Sequence, residues 1–196
     1  MDIKNRKNYQ PLLKNAETLF MKFGVKKVSV EEICKEANVS KMTFYRIFKN
    51  KKALVFELLN NLLVDGLNDY NTIMKREIPF PEKVKQVVLL KHKSVENISQ
   101  EFIKDVYQSD DLELQQLINN YHETSTKKMF NDFSEAQKHG WIRKDIKPES
   151  IFYFLKIIQE KAFDSNYIAL HNNMHDAIME MTNFFFYGII NQEENS

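Results

Sequence analysis

The stretch from Ser29 to Leu54, SVEEICKEANVSKMTFYRIFKNKKAL, leaves little choice of local fold. Val30, Ile33, Cys34 and Ala37 recur at three- and four-residue spacing, so a helix over Val30–Ala37 has one apolar face while Glu31, Glu32, Lys35 and Glu36 turn to water. Ser29 stands before it with Glu32 three residues on, the pattern of a capping box. Asn38 then falls where the chain must turn sharply, and Asn is one of the few non-glycine residues that tolerate a left-handed backbone. Ser40 caps a second helix over Lys41–Phe48. Two helices joined by so short a turn make a helix-turn-helix, whose second helix enters a DNA major groove by its N-terminal residues. Here those residues are Lys41, Met42, Thr43 and Tyr45, flanked by Arg46, Lys49, Lys51 and Lys52.

Charge supports the same direction. The net charge is only +1, but residues 1–52 hold thirteen Lys and Arg against five Asp and Glu, a balance of +8, which leaves −7 for residues 53–196. A basic head on an acidic body suits a head that meets a polyanion, although a lysine-rich face also serves solubility.

The rest of the chain keeps a helical rhythm. Tyr9–Phe23 places Leu12, Leu13, Ala16, Leu19, Phe20 and Phe23 on one broad face, with Gly24 as its stop. A long helix runs from Lys51 to about Arg76, ended by Pro79 and Pro81; Gly66 inside it costs about 1 kcal/mol against Ala and marks a hinge or a close contact. Further helices are expected over Glu82–Ile98, Glu101–Tyr107, Leu112–His139, Glu149–Asp164 and His175–Asn191, with Asp110 and Asp111 before the third of these as a cap and Pro148 in the first turn of the fourth. There is no strand pattern and no internal repeat, so the expected fold class is all-α. Four Gly and four Pro in 196 residues agree with long helices and few turns.

Other chemistries lack their signatures. The sequence holds no glycine-rich phosphate loop, H-E-x-x-H, Cys-x-x-Cys or nucleophile elbow, so no enzyme, catalytic residue or cofactor is expected. His171 and His175 stand four apart, a spacing that can hold a metal, but HNNMH reads as a connection between helices, and no metal site is expected. No apolar run approaches a membrane span and MDIKNRKNYQ has no signal-peptide core; the lone Cys34 suits a reducing cytoplasm and, on the apolar face of its helix, acts as a small hydrophobe.

The run VSVEEICKEANVSKMTFYRIFKNKKALVFELL resembles the DNA-binding domain of the tetracycline-repressor (TetR) family, through Ile33, Ala37, Val39, Ser40, Thr43, Tyr45, Phe48, Lys51 and Leu54 in register. It departs at Cys34, Asn38 and Met42, the last of which bears on base preference; further on, GWIRKDIKPE resembles a joint common in the family. The resemblance implies a three-helix head, residues 1–52, and a helical effector-binding and dimerisation body, residues 53–196. It implies a homodimeric regulator, a repressor for preference, on a palindromic operator in double-stranded DNA, tuned by a small apolar or amphipathic effector; a regulator of the same fold that answers to a protein partner or to no effector is the alternative.

Site residues follow. DNA contacts are expected from Ser29, Lys41, Met42, Thr43, Tyr45, Arg46, Lys49, Lys51 and Lys52, with Lys41 and Met42 nearest the bases. The last two long helices are expected to pair across a two-fold axis through Ile151, Phe152, Leu155, Met181, Phe184, Phe185, Gly188 and Ile189, since they carry more apolar surface than one internal face needs. An effector pocket is expected among Phe102, Val106, Tyr121, Ser125, Phe133, Phe154 and Ile158; the same set also fits a closed core, and the hydroxyls of Tyr121 and Ser125 favour a pocket.

Overall fold

A computed structural model describes residues 7–95, 98–161 and 164–190. Its helices are α1 (Tyr9–Phe23), α2 (Val30–Glu36), α3 (Lys41–Ile47), α4 (Lys51–Met74), α5 (Phe80–Val95), α6 (Gln100–Tyr107), α7 (Leu112–Lys138), α8 (Pro148–Lys161), α9 (Ser165–Ile168) and α10 (Met174–Ile189). The fold is all-α. An antiparallel bridge between Ile142 and Ile190 is the extent of β pairing among the described residues. None of the described helices is long and apolar enough to cross a membrane.

Two boundaries differ from expectation for local reasons. Pro81 lies in the first turn of α5 rather than in front of it, because a missing N–H costs nothing there, and the N–H groups of Glu82 and Lys83 reach Pro79 O at 3.0 and 3.2 Å. Helix α8 is described as far as Lys161, and Asp164, expected at its end, instead opens the short α9. Its cap, Asp164, accepts the N–H groups of Asn166 at 2.9 Å and Tyr167 at 3.3 Å.

The chain forms two compact units, which do not follow a cut at residue 52. The first takes the described residues of Met1–Asp65 and Asn97–Leu117. Its core includes Leu12, Ala16, Phe20, Ile33, Phe44 and Leu54, all fully buried. Tyr9 stacks on Phe48 at 5.5 Å between centroids and donates its hydroxyl to Glu57 Oε1 at 2.6 Å, which ties α1 to α4. Gly24, at φ 86°, ends α1, and a Cβ there would stand 2.8 Å from Glu101 Cβ and 2.9 Å from Asp105 Oδ2. Helix α6 therefore lies against the end of α1 at a distance only glycine permits. Two backbone donors fasten it: Lys26 N–H to Asp105 Oδ2 at 2.7 Å and Ser99 N–H to Met21 O at 2.8 Å. Asp111 caps α7 by accepting the N–H groups of Glu113 and Leu114.

The second unit takes the described residues of Gly66–Glu96 and Ile118–Ser196. Phe80 of α5 sits at its centre, edge-on to Phe133 at 5.9 Å and stacked on Trp141 at 6.2 Å, while Phe133 meets Phe186 of α10 edge-on at 6.1 Å. Val84, Val87 and Val88 continue the core along α5, and Tyr70 and Ile73 supply the wall from α4. Gly140, at φ 82°, closes α7. Gly66 makes no close contact: a Cβ there would find only Tyr121 Oη at 3.8 Å, so packing does not require this glycine.

Candidate nucleic-acid interface

Local chemistry builds the helix-turn-helix as the spacing predicts. Ser29 Oγ accepts Glu32 N–H at 3.2 Å and the Glu32 carboxylate accepts Ser29 N–H at 2.7 Å, a complete capping box. Asn38 adopts φ 52°, and around it Val39 N–H reaches Cys34 O at 2.8 Å while Asn38 N–H reaches Lys35 O at 3.1 Å. These two bonds are a Schellman motif, which satisfies the last carbonyls of α2 and swings the chain into α3. Ser40 caps α3 through Thr43 N–H at 3.1 Å. Phe44 and Ile47 anchor α3 in the core, which fixes the opposite face outward.

That outward face is basic and partly apolar. Met42 is 82 % exposed at the first turn of α3 and Tyr45 is 54 % exposed one turn on; Arg46 and Lys49 are exposed beside them. Lys41 is exposed too but is bonded to Glu31 of α2, which holds that carboxyl below its usual range. A surface pair of this kind is weak, so a phosphate can compete for the lysine. Ser29 spends its hydroxyl on the cap of α2, and Thr43 gives its backbone N–H to Ser40 Oγ.

Two of the lysines expected at phosphates have partners within the protein. Lys51 donates its ammonium to Val28 O at 2.6 Å, and burial lowers its pKa; it clamps α4 to the loop before α2. Lys52 lies between Asp111 Oδ2 at 2.9 Å and Glu113 Oε2 at 2.7 Å, held by the start of α7. Charge alone marked both lysines for DNA. Acidic residues more than fifty positions away pair with Lys52, and nothing in the local pattern announced them.

The expected effector and dimer residues separate in the same way. Phe102 and Val106 are buried in the first unit, where α6 packs on α1, and the other five belong to the second. In the second unit Phe133 is in the closed core, Ile158 packs against that core, and Phe154 is 56 % exposed, so it faces outward rather than into a pocket. Ser125 Oγ is satisfied by His122 O at 3.1 Å, which removes the reason for wanting a ligand there. A half-open hollow of about 280 Å³ lies elsewhere, between Met74, Phe80, Lys83, Asp132, His139 and Trp141. Of the expected interface residues, Ile151, Leu155, Phe185 and Ile189 fill the unit's own core, and the half-buried Phe152 meets Phe130 edge-on at 5.7 Å. Met181 is half-buried, Phe184 is 85 % exposed, and a Cβ on Gly188 would meet nothing within 4 Å. Helical periodicity located the apolar surplus on α8 and α10 but could not say which side each aromatic ring faces.

His171 and His175 do not converge. His171 Nδ1 is 3.0 Å from Tyr167 O and its Nε2 is 3.0 Å from Glu180 Oε2, while His175 Nδ1 is 3.3 Å from Asp176 Oδ1. Among the described residues no group of three or more His, Cys, Asp and Glu is arranged to hold a metal ion.

Comparison with known proteins points to the helix-turn-helix first. Residues 12–58 match the family described as "Bacterial regulatory proteins, tetR family". The Bacillus subtilis (strain 168) protein described as an uncharacterized HTH-type transcriptional regulator, YhgD, is 26% identical over 156 residues, 78% of this chain and 81% of that one. Among solved structures, the regulatory protein TetR from Rhodobacter sphaeroides superposes with a TM-score of 0.74 at 17% identity, covering 94% of this chain and 100% of that one. A transcriptional regulator from Saccharomonospora viridis, solved in complex with choline, superposes with a TM-score of 0.75 at 15% identity, covering 93% and 97%. The matched segment is the one whose caps, turn and basic outer face have just been described: residues 12–58 carry the helix-turn-helix of the TetR family, and over most of its length the chain is similar to an HTH-type transcriptional regulator.

Proposed function

We propose that the chain acts as a homodimeric repressor that holds a palindromic operator through residues 1–52 and releases it when a small amphipathic effector binds in residues 53–196. The observation that carries the dimer is the apolar outer face of α8 and α10, two helices that pack on each other: Tyr153 and Phe154 are 64 % and 56 % exposed, Phe184 85 % and Tyr187 46 %. Surface this apolar marks an interaction site. One helix-turn-helix covers only a half-site, and a palindrome needs two of them about 34–36 Å apart or a multiple of that, which an isologous dimer supplies.

Control by a small molecule has support of another kind. The Saccharomonospora viridis regulator, similar over nearly the whole chain, was solved with choline. An effector lowers DNA affinity only if it favours a state whose heads no longer match successive grooves, so its affinity must differ between the two states. The test is to select bound fragments from the source genome, then measure dimerisation by sedimentation and operator affinity with and without candidate small molecules. Dimer formation and ligand-dependent release are the expected results; a monomer that holds the operator undiminished in every ligand tried overturns the reading.

A further inference from the structure

The buried stripes of four helices in the second unit end in polar groups at one end of that unit. On α5 the stripe Phe80, Val84, Val87, Val88 continues to Lys91, seven residues after Val84 and four after Val87, yet Lys91 is exposed. On α7 the stripe that holds Phe133, Met129 and Thr126 reaches His122, which is half-buried with Nδ1 sealed from solvent. Helix α10 brings His175 one turn before the buried Ile178, edge-on to His92 at 4.3 Å between centroids. Helix α4 brings Gly66 one turn before the buried Tyr70, with only Tyr121 Oη near it. A glycine, a lysine and two histidines thus stand where hydrophobic residues would close the core. Gly66, Tyr121, His122 and His175 all keep some solvent contact there, so the core opens at this end.

Charge in the opening is unbalanced. Among the described residues no carboxylate pairs with the Lys91 ammonium; surrounding protein lowers its pKa, and its charge in turn adds to the burial that lowers that of His122. His175 Nε2 is buried without a partner, its Nδ1 facing Asp176. An ammonium without a counter-ion leaves the local charge unbalanced, and a buried ring nitrogen without a bond is rare in native proteins. An anion whose oxygens reach these groups removes both defects, and the neighbouring apolar turns, Val87, Val88 and Ile178, suit a hydrocarbon body.

We propose that this opening of the second unit binds an amphipathic organic acid, with the acid group on Lys91 and its apolar skeleton along the core-facing turns of α5 and α10. The proposal rests on the reading that this part of the chain holds a small effector, and it names the chemistry of that effector.

The test uses the full-length protein without DNA. Octanoate, decanoate, 4-phenylbutyrate and salicylate are titrated by calorimetry beside their neutral amides, on the wild type and on Lys91→Met. At least one acid should bind the wild type at least tenfold more tightly than its amide. Lys91→Met should weaken that acid about ten- to hundredfold, the scale of a lost charged hydrogen bond, and leave the amide unchanged. The variant should also melt no lower than the wild type, because it removes an uncompensated charge, and this separates loss of binding from loss of fold. Acids and amides that bind alike, acid affinity unchanged in Lys91→Met, or no acid bound at all would each overturn the site. Failure of the regulatory reading looks different: the acid binds as expected, Lys91→Met abolishes it, and operator affinity does not respond.

Discussion

Single residues decide what the α3 surface can read. Met42, 82 % exposed and followed by Tyr45, presents an apolar tip at the N-terminal end of α3, the helix proposed to enter the groove, and the apolar feature of a major groove is the thymine methyl. Met42→Ala is therefore expected to weaken the selected operator by about 1 kcal/mol while leaving random DNA unaffected. Lys49→Ala should weaken both alike and reduce the slope of log affinity against log salt by about one, because a phosphate contact carries no sequence information. Salt titrations of the two variants on both DNAs check the pair, and equal losses for Met42→Ala on both would remove its reading role. Asn38 acts on the turn rather than on DNA. At φ 52° glycine is relaxed and alanine strained, so in equilibrium denaturation Asn38→Ala should cost about 1 kcal/mol and Asn38→Gly close to nothing. Asn38 was legible from the sequence because its conformation is dictated by the residues on either side of it. Lys51 and Lys52 were not, since their partners are Val28 O, Asp111 and Glu113, and no local pattern encodes a contact of that range.

Elements follow the same division between local and distant causes. Caps and periodicity located α1 to α3 within a residue, because Ser29, Ser40 and Gly24 are chemical stops. The end of α8 was missed because α9, only Ser165–Ile168, is too short to show a period. The assignment of α6 was missed for a larger reason: its apolar face, Phe102, Ile103 and Val106, says that it is buried but not against what. It packs on α1, fastened at Gly24, Lys26 and Met21. Two glycines test how these elements are joined. Gly24→Ala places a Cβ 2.8 Å from Glu101 Cβ at a positive φ, and it should destabilise the protein by about 2 kcal/mol or more. Gly66→Ala meets only Tyr121 Oη at 3.8 Å inside a helix, so it should stabilise by up to about 1 kcal/mol. Thermal and urea denaturation of both variants measure the contrast. If Gly66→Ala is stable and binds operator but no longer responds to ligand, this glycine serves the response rather than the packing.

At the scale of the whole molecule the decisive question is the second copy. An aromatic-rich pattern on α8 and α10 told of excess apolar surface, but the chain's own core takes Ile151, Leu155, Phe185 and Ile189, leaving Tyr153, Phe154, Phe184, Tyr187 and the bare patch at Gly188. In a lone subunit this remainder stays open to water, and Phe184 at 85 % exposure forgoes the roughly 1.5–3 kcal/mol that burying such a ring contributes. Gly188 permits a sharper test than truncation of an aromatic. A side chain there meets nothing within 4 Å in one subunit and improves helix propensity, so Gly188→Leu should leave the monomer at least as stable as the wild type. In a dimer built on this face the same leucine stands where the partner's helix approaches, and small-to-large changes in a packed contact cost about 1–3 kcal/mol. Sedimentation should then show the dimer dissociation constant raised about ten- to hundredfold by Gly188→Leu and by at least as much by Phe184→Asp. Operator binding should fall with the dimer and recover at protein concentrations that restore it. A Gly188→Leu protein as dimeric as the wild type would put the two-fold contact on another face.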